Sequence, residues 1–141
     1  MFVRDFVHVE RPFEAIAPRF LEDPGWLETL LSSASGATAV RCKRGTVRRR
    51  ADTLVVPMHW ALDGSSLPAL DGDLAIVPID PVRCHISFEA TYALDVERVQ
   101  PPHVTEHTVE AAVRAFLSRL AEALEAIGAD DEHQRPPGKE I

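Results

Sequence analysis

Residues Val82 to Leu94 read VRCHISFEATYAL, an alternating run with almost no error. Val82, Cys84, Ile86, Phe88, Ala90, Tyr92 and Leu94 fall on one face of an extended chain, and Arg83, His85, Ser87, Glu89 and Thr91 on the other. Side chains of successive strand residues point to opposite faces, so this pattern predicts a strand with one side in the core and the other in water. A second run with the same period precedes it: Leu54, Val56, Met58, Trp60 and Leu62 oppose Thr53, Val55, Pro57, His59 and Ala61. Pro57 lacks a backbone donor, which points to an edge or a bulge at that position.

Further strands are expected near 37–43, 46–52, 53–62 and 67–79, the second and third either separate or one continuous strand. Turns are marked by Arg44–Gly45, Asp63–Gly64 and Asp80–Pro81, and Asp71–Gly72 reads as a hairpin turn or a bulge. Phe2 to Val9 has strand composition with an open choice of inner face, since either Arg4 and His8 or Asp5 comes with it. Two short helices follow. The first starts at Pro12 and carries Phe13, Ile16, Ala17, Phe20 and Leu21, with Pro18 expected to kink or end it; the second starts from Asp23 and Pro24 and carries Trp26, Leu27, Leu30 and Leu31.

The last element is an amphipathic helix, capped by Thr105 and expected to stop at Gly128. Val109, Ala112, Val113, Phe116, Leu117, Leu120, Ala123, Leu124 and Ile127 form one apolar stripe, with Glu110 and Arg114 spaced to pair on its flank. Such a stripe needs a sheet to cover it. The expected class is α+β, a curved antiparallel sheet of about six or seven strands around a long C-terminal helix, with two short helices after the first strand. Residues 1–128 make one domain, and the polar stretch 129–141, with two prolines, is expected to be a disordered tail.

At 141 residues, 45% hydrophobic and 26% charged, the composition is ordinary for a globular chain, and no run approaches the ~18 apolar residues of a membrane span. Arg4, Asp5, Glu10 and Arg11 interrupt any signal-peptide core, so a cytoplasmic location is expected, with Cys42 and Cys84 as reduced thiols. The net charge of −7 disfavours nucleic acid and anionic membrane. Against that average, Arg41, Lys43, Arg44, Arg48, Arg49 and Arg50 crowd into ten positions with no acid among them. Without aromatics or a helix N-terminus nearby this reads as a solvated hairpin, with an acidic partner at Arg48, Arg49 and Arg50 as the functional alternative.

The string His103-Val104-Thr105-Glu106-His107 matches a zinc-protease spacing, but Pro101, Pro102 and the cap at Thr105 place His103 outside the helix, and no metal or cofactor is expected. His59 and His85 lie on outward faces. Tyr92, His8 and Asp5 are the groups that would carry proton transfer if the protein were an enzyme; no catalytic set is assigned.

The order of elements, together with VHVERPFEAI at Val7 to Ile16, Asp23-Pro24-Gly25-Trp26, Leu67-Pro68-Ala69-Leu70-Asp71-Gly72-Asp73-Leu74 through Pro78, and the strand ending at Tyr92, resembles the SRPBCC superfamily. That group includes START-like, Bet v 1-like and polyketide cyclase/dehydrase proteins of helix-grip fold. Thirteen arginines against two lysines, and no asparagine, are similar to actinobacterial members; the glycine-containing continuation expected after Pro101 and Pro102 is missing. The resemblance implies a cavity between sheet and C-terminal helix, lined here by Val56, Met58, Trp60, Ile86, Phe88, Tyr92, Val113, Phe116 and Leu120.

It implies an apolar small-molecule ligand such as a lipid, isoprenoid quinone or polyketide, in a monomer or homodimer. An aromatase/cyclase, or an interaction module with a filled core that uses the arginine hairpin, are the alternatives. An empty cavity of ~300 Å³ would cost roughly 7 kcal/mol, so a persistent one needs an occupant.

Overall fold

In the computed structural model the described residues are 1–22, 24–35, 39–63, 68–93 and 106–133. Strand β1 (Phe2–Val9) leads into helices α1 (Phe13–Glu22) and α2 (Pro24–Ser35), then β2 (Ala39–Arg44), β3 (Arg48–Arg50), β4 (Thr53–Asp63), β5 (Leu70–Asp80), β6 (Arg83–Thr91) and α3 (Glu106–His133). The six strands form one antiparallel sheet in the order β1-β6-β5-β4-β2, with β3 also on β4. This is the α+β helix-grip architecture, an open sheet closed on its inner side by the long terminal helix.

The alternating runs place their apolar rows inward. Cys84, Ile86, Phe88, Ala90 and Tyr92 of β6 and its end are buried with Leu54, Val56, Met58 and Trp60 of β4, while Arg83, Glu89 and Thr91 are exposed. Val82 departs from its row: it sits 59% exposed in the β5–β6 turn, where the ladder no longer fixes its direction. Leu94 lies outside the described residues, as do Asp23, Gly64, His103, Thr105 and the stretch beyond His133.

Register settles the open face of β1. Val3, Asp5, Val7 and Val9 point inward, opposite Ala90, Phe88, Ile86 and Cys84. The inward carboxylate is met by Arg114 of α3, whose Nε lies 3.3 Å from Asp5 Oδ2. Arg114 therefore does not serve Glu110, which instead lies 3.7 Å from His107 on its own helix.

Other expectations change. Arg44–Gly45 is not a hairpin: β2 and β3 both pair with β4 and lie end to end along it, with Gly45 N–H donating to the Pro57 carbonyl at 2.9 Å across the break. The reversal comes at Ala51, whose φ of 50° is left-handed and separates β3 from β4, so 46–52 and 53–62 are distinct strands. Gly72 is neither hairpin turn nor bulge but an in-register position within β5, opposite Ala90, where β5 closes on β6; a Cβ there would stand 2.1 Å from the Glu89 carbonyl oxygen.

In α1, Pro18 is carried within the helix, and Leu21 faces solvent at 48% exposure while Phe13, Ile16, Ala17 and Phe20 are buried. Helix α3 runs through Gly128 to His133. One glycine costs only about 1 kcal/mol in a helix, too little to stop it without a following proline.

The core is one cluster spanning both layers. Val109, Val113, Phe116, Leu117, Leu120 and Leu124 of α3 are each 0% exposed against the sheet and the short helices. Burying these six contributes on the order of 10 to 15 kcal/mol before chain entropy is counted.

Candidate functional site

Helix-grip geometry directs attention to the space between sheet and α3. Val56, Ile86, Phe88, Val113, Phe116 and Leu120 are fully buried there, and Met58, Trp60 and Tyr92 nearly so. The nine expected lining residues thus belong to one continuous cluster, contributed by β4, β6 and α3. At its centre is an aromatic triangle. Trp60 meets Phe88 edge-on at 5.1 Å and Phe116 at 5.2 Å, and Phe88 and Phe116 stand 6.2 Å apart.

Trp60 brings a polar atom into this apolar setting. Its indole Nε1–H is buried and has no hydrogen-bond partner among the described residues. An amide-like donor left unsatisfied in the interior costs roughly 1–3 kcal/mol, and a buried tryptophan ordinarily directs its N–H to an acceptor. No charged side chain among the described residues is buried with it.

Tyr92 ends the inward row. Its backbone is held by Met1, the Tyr92 N–H donating to the Met1 carbonyl at 2.9 Å and the Met1 amino group to the Tyr92 carbonyl at 2.7 Å. Buried in the core cluster, Tyr92 also lines an open depression of about 450 Å³ together with Ala69, Asp71, Thr91 and Ala93.

A larger open depression, about 690 Å³, shares Asp71 and adds Lys43, Gly45, Pro57, His59 and Asp73. Lys43, His59, Asp71 and Thr91 are directly opposite one another on β2, β4, β5 and β6, so they form one row on the outer face. There His59 Nδ1 is hydrogen-bonded to Asp71 Oδ1. Alternation places His59 outward but does not say which strand lies beside it, so the pairing is visible only in the sheet register.

The candidate acid–base groups are dispersed. Asp5 is engaged by Arg114 and by the Phe6 N–H at 2.8 Å. His8 is on the outer face with His85, their Nε2 and Nδ1 3.1 Å apart. Burial, then His8 and Arg4, hold the His85 pKa below the ordinary histidine value. Cys84 is a free, buried thiol that donates to the Arg11 carbonyl at 3.4 Å; burial first, then Asp80, raises its pKa to about 11. The Cys42 side chain lies outside the description.

Of the arginine run, Arg49 pairs with Glu14 at 2.9 Å and lies over the Phe13 ring at 5.3 Å, and Arg44 donates to the Phe20 carbonyl, both toward α1. Arg48 and Arg50 are exposed. Among the described residues no group of three or more His, Cys, Asp or Glu side chains could hold a metal ion, and no helix is long and apolar enough to cross a membrane.

No family model and no curated protein sequence matches this chain. Solved structures do match its fold. A conserved protein from Geobacillus kaustophilus aligns at a TM-score of 0.58 and 8% identity, over 88% of this chain and 95% of that one. A hypothetical protein from Helicobacter pylori aligns at 0.56 and 11%, over 87% of each chain. Norcoclaurine synthase from Thalictrum flavum, in complex with dopamine and hydroxybenzaldehyde, aligns at 0.50 and 16%, over 86% of this chain and 87% of that one. At these identities the likeness is one of fold alone: the chain shares its helix-grip architecture with these structures.

Proposed function

We propose that this protein binds an apolar small molecule carrying a hydrogen-bond acceptor, such as a quinone or polyketide carbonyl, between its sheet and α3. The observation that carries this reading is the buried Trp60 Nε1–H, a donor without an acceptor between Phe88 and Phe116. A ligand carbonyl there satisfies the donor while the surrounding aromatics supply apolar contact. Val56, Met58, Ile86, Tyr92, Val113 and Leu120 complete the lining. Because these side chains pack on one another, binding proceeds with their repacking. Met58, unbranched and adaptable, and Tyr92, at the boundary with the outer depression, are the residues that give way. The synthase of the same fold, which holds two small aromatic molecules, supports the reading.

A cyclase reaction needs an acid or base beside the bound ligand. Of the three candidates Tyr92 is in the proposed lining, whereas Asp5 is engaged by Arg114 and His8, like the His59–Asp71 pair, is on the outer face; one such group where a cyclase needs two favours binding over catalysis.

The test uses hydroxybenzaldehyde and naphthoquinone against hydrocarbons of matched shape, with Trp60 fluorescence read in a Trp26→Phe background. Carbonyl probes are expected to saturate the signal more tightly than the hydrocarbons. Trp60→Phe, followed by calorimetry, is expected to erase about five- to tenfold of that preference, the worth of one hydrogen bond. Equal affinities for both probe classes, or no saturation by any, would overturn the proposal.

A further inference from the structure

The outer face of β1 carries aromatic surface that the core does not use. Phe2 and Phe6 point the same way, two residues either side of Arg4, and are 60% and 54% exposed. Across from them on β6 stand Thr91 and Ser87, too small to cover them. Phe6 stacks on the His85 ring at 4.9 Å and 27°, and His85 is hydrogen-bonded to His8. The other large apolar side chains exposed among the described residues are Met1, Ile79, Val82 and Leu21; Met1 adjoins β1, and Ile79 and Val82 flank the β5–β6 turn beside the histidines. Scattered exposed hydrophobes need no explanation, but a concentration on one face marks an interaction site.

The charges on this face identify the occupant. Arg4 pairs with Glu89 at 3.0 Å, and Arg83 pairs with Glu10 at 3.5 Å. In a chain of net charge −7 this patch carries both signs, Arg4 and Arg83 against Glu10, Asp80 and Glu89. An anionic lipid surface calls for excess cation, and a strongly charged partner protein for one sign. A two-fold contact between identical patches calls for both, so that Arg4 of one copy meets Glu89 of the other and the reverse. At the edge of β1 the Phe6 N–H is already taken by Asp5 Oδ1, which works against strand addition at that position.

We propose that two copies of this chain associate face to face through the outer surface of β1 and β6, with Phe2 and Phe6 at the centre of the contact. The histidine pair makes that contact sensitive to acid. A His8–His85 hydrogen bond holds one proton between two facing nitrogens; protonating the accepting nitrogen as well ends that hydrogen bond and puts a cation in the contact. The neighbouring charges are Arg4 from β1 and Glu10 just after it, Arg83 and Glu89 from β6, and Asp80 at the end of β5. The carboxylates of Glu10 and Glu89 are committed to their arginines, so they leave the added charge uncompensated in a dry interface.

Sedimentation equilibrium of the full chain tests this. At about pH 7.5 a concentration-dependent dimer is expected, and lowering to about pH 5.5 weakens it roughly tenfold or more. Phe2→Ser with Phe6→Ser produces a monomer. Arg4→Glu weakens the dimer, and Arg4→Glu combined with Glu89→Arg restores it, which keeps the test valid if the phenylalanine variant folds poorly. Wild-type protein that stays monomeric to about 100 μM, a dimer indifferent to these substitutions, or retention on anionic vesicles in place of dimerisation overturns the proposal.

Discussion

Arg114 on α3 and Asp5 on β1, 109 residues apart in sequence, face each other with Nε 3.3 Å from Oδ2. The contact ties the terminal helix to the edge of the sheet, and its second carboxylate oxygen caps the outward N–H of Phe6.

The two roles of Asp5 separate by mutation. Arg114 is 74% exposed, so the ion pair itself contributes about 0.2–1 kcal/mol, and Arg114→Ala costs no more than that. Asp5→Ala also uncaps the strand edge and costs about 1 kcal/mol more. Urea denaturation of both single variants and the double variant measures the difference.

Gly72 and Gly45 differ in what an added methyl meets. At Gly72 a Cβ lies 2.1 Å from the Glu89 carbonyl oxygen and 2.7 Å from the Ala90 Cβ, so backbone has to move; at Gly45 the nearest atom is Pro57 Cβ at 3.0 Å. Gly72→Ala is expected to cost about 3 kcal/mol or more and Gly45→Ala about 1 kcal/mol or less, read from thermal or urea unfolding.

The Cys84 thiol, with its pKa raised to about 11, is expected to resist alkylation at neutral pH in the folded protein and to react once urea exposes it. The fold favours the neutral thiol. The unfolded chain therefore gains stability by ionising as pH rises above the ordinary thiol value of 9.0, and folding stability falls between there and about 11. Cys84→Ala removes that part of the alkaline slope.

His85 gives the opposite slope. Its pKa is lowered from 6.5, chiefly by burial, so the unfolded state binds the proton first. Stability is complete above about pH 6.5 and is lost as pH falls through the folded value. A ring-proton NMR titration should place His85 below an ordinary histidine, and His8→Ala should move it back upward.

At the aromatic centre, Phe116→Ala should cost about 3–5 kcal/mol, because Trp60 and Phe88 cannot both close the gap. Chemical denaturation reads this directly.

Much of the fold is legible along the chain. The period-two rows of β4 and β6 and the stripe of α3 name the residues that share a face, since that depends only on backbone geometry and side-chain polarity. The inward rows of β4 and β6 and the stripe of α3 meet in one buried cluster. What alternation leaves open is pairing. It could not choose the inner face of β1, because that choice rests on whether Arg114 arrives to meet Asp5. Nor could it show β2 and β3 sharing one side of β4, the close approach at Gly72, or His59 beside Asp71 and His8 beside His85. The orphaned Trp60 N–H belongs with these: a residue's apolar character is local, but whether its one polar atom finds a partner depends on everything folded around it. Periodicity within a segment thus determined the elements and their buried faces. Strand order, register and helix docking, which are long-range, decided where the chemistry lies.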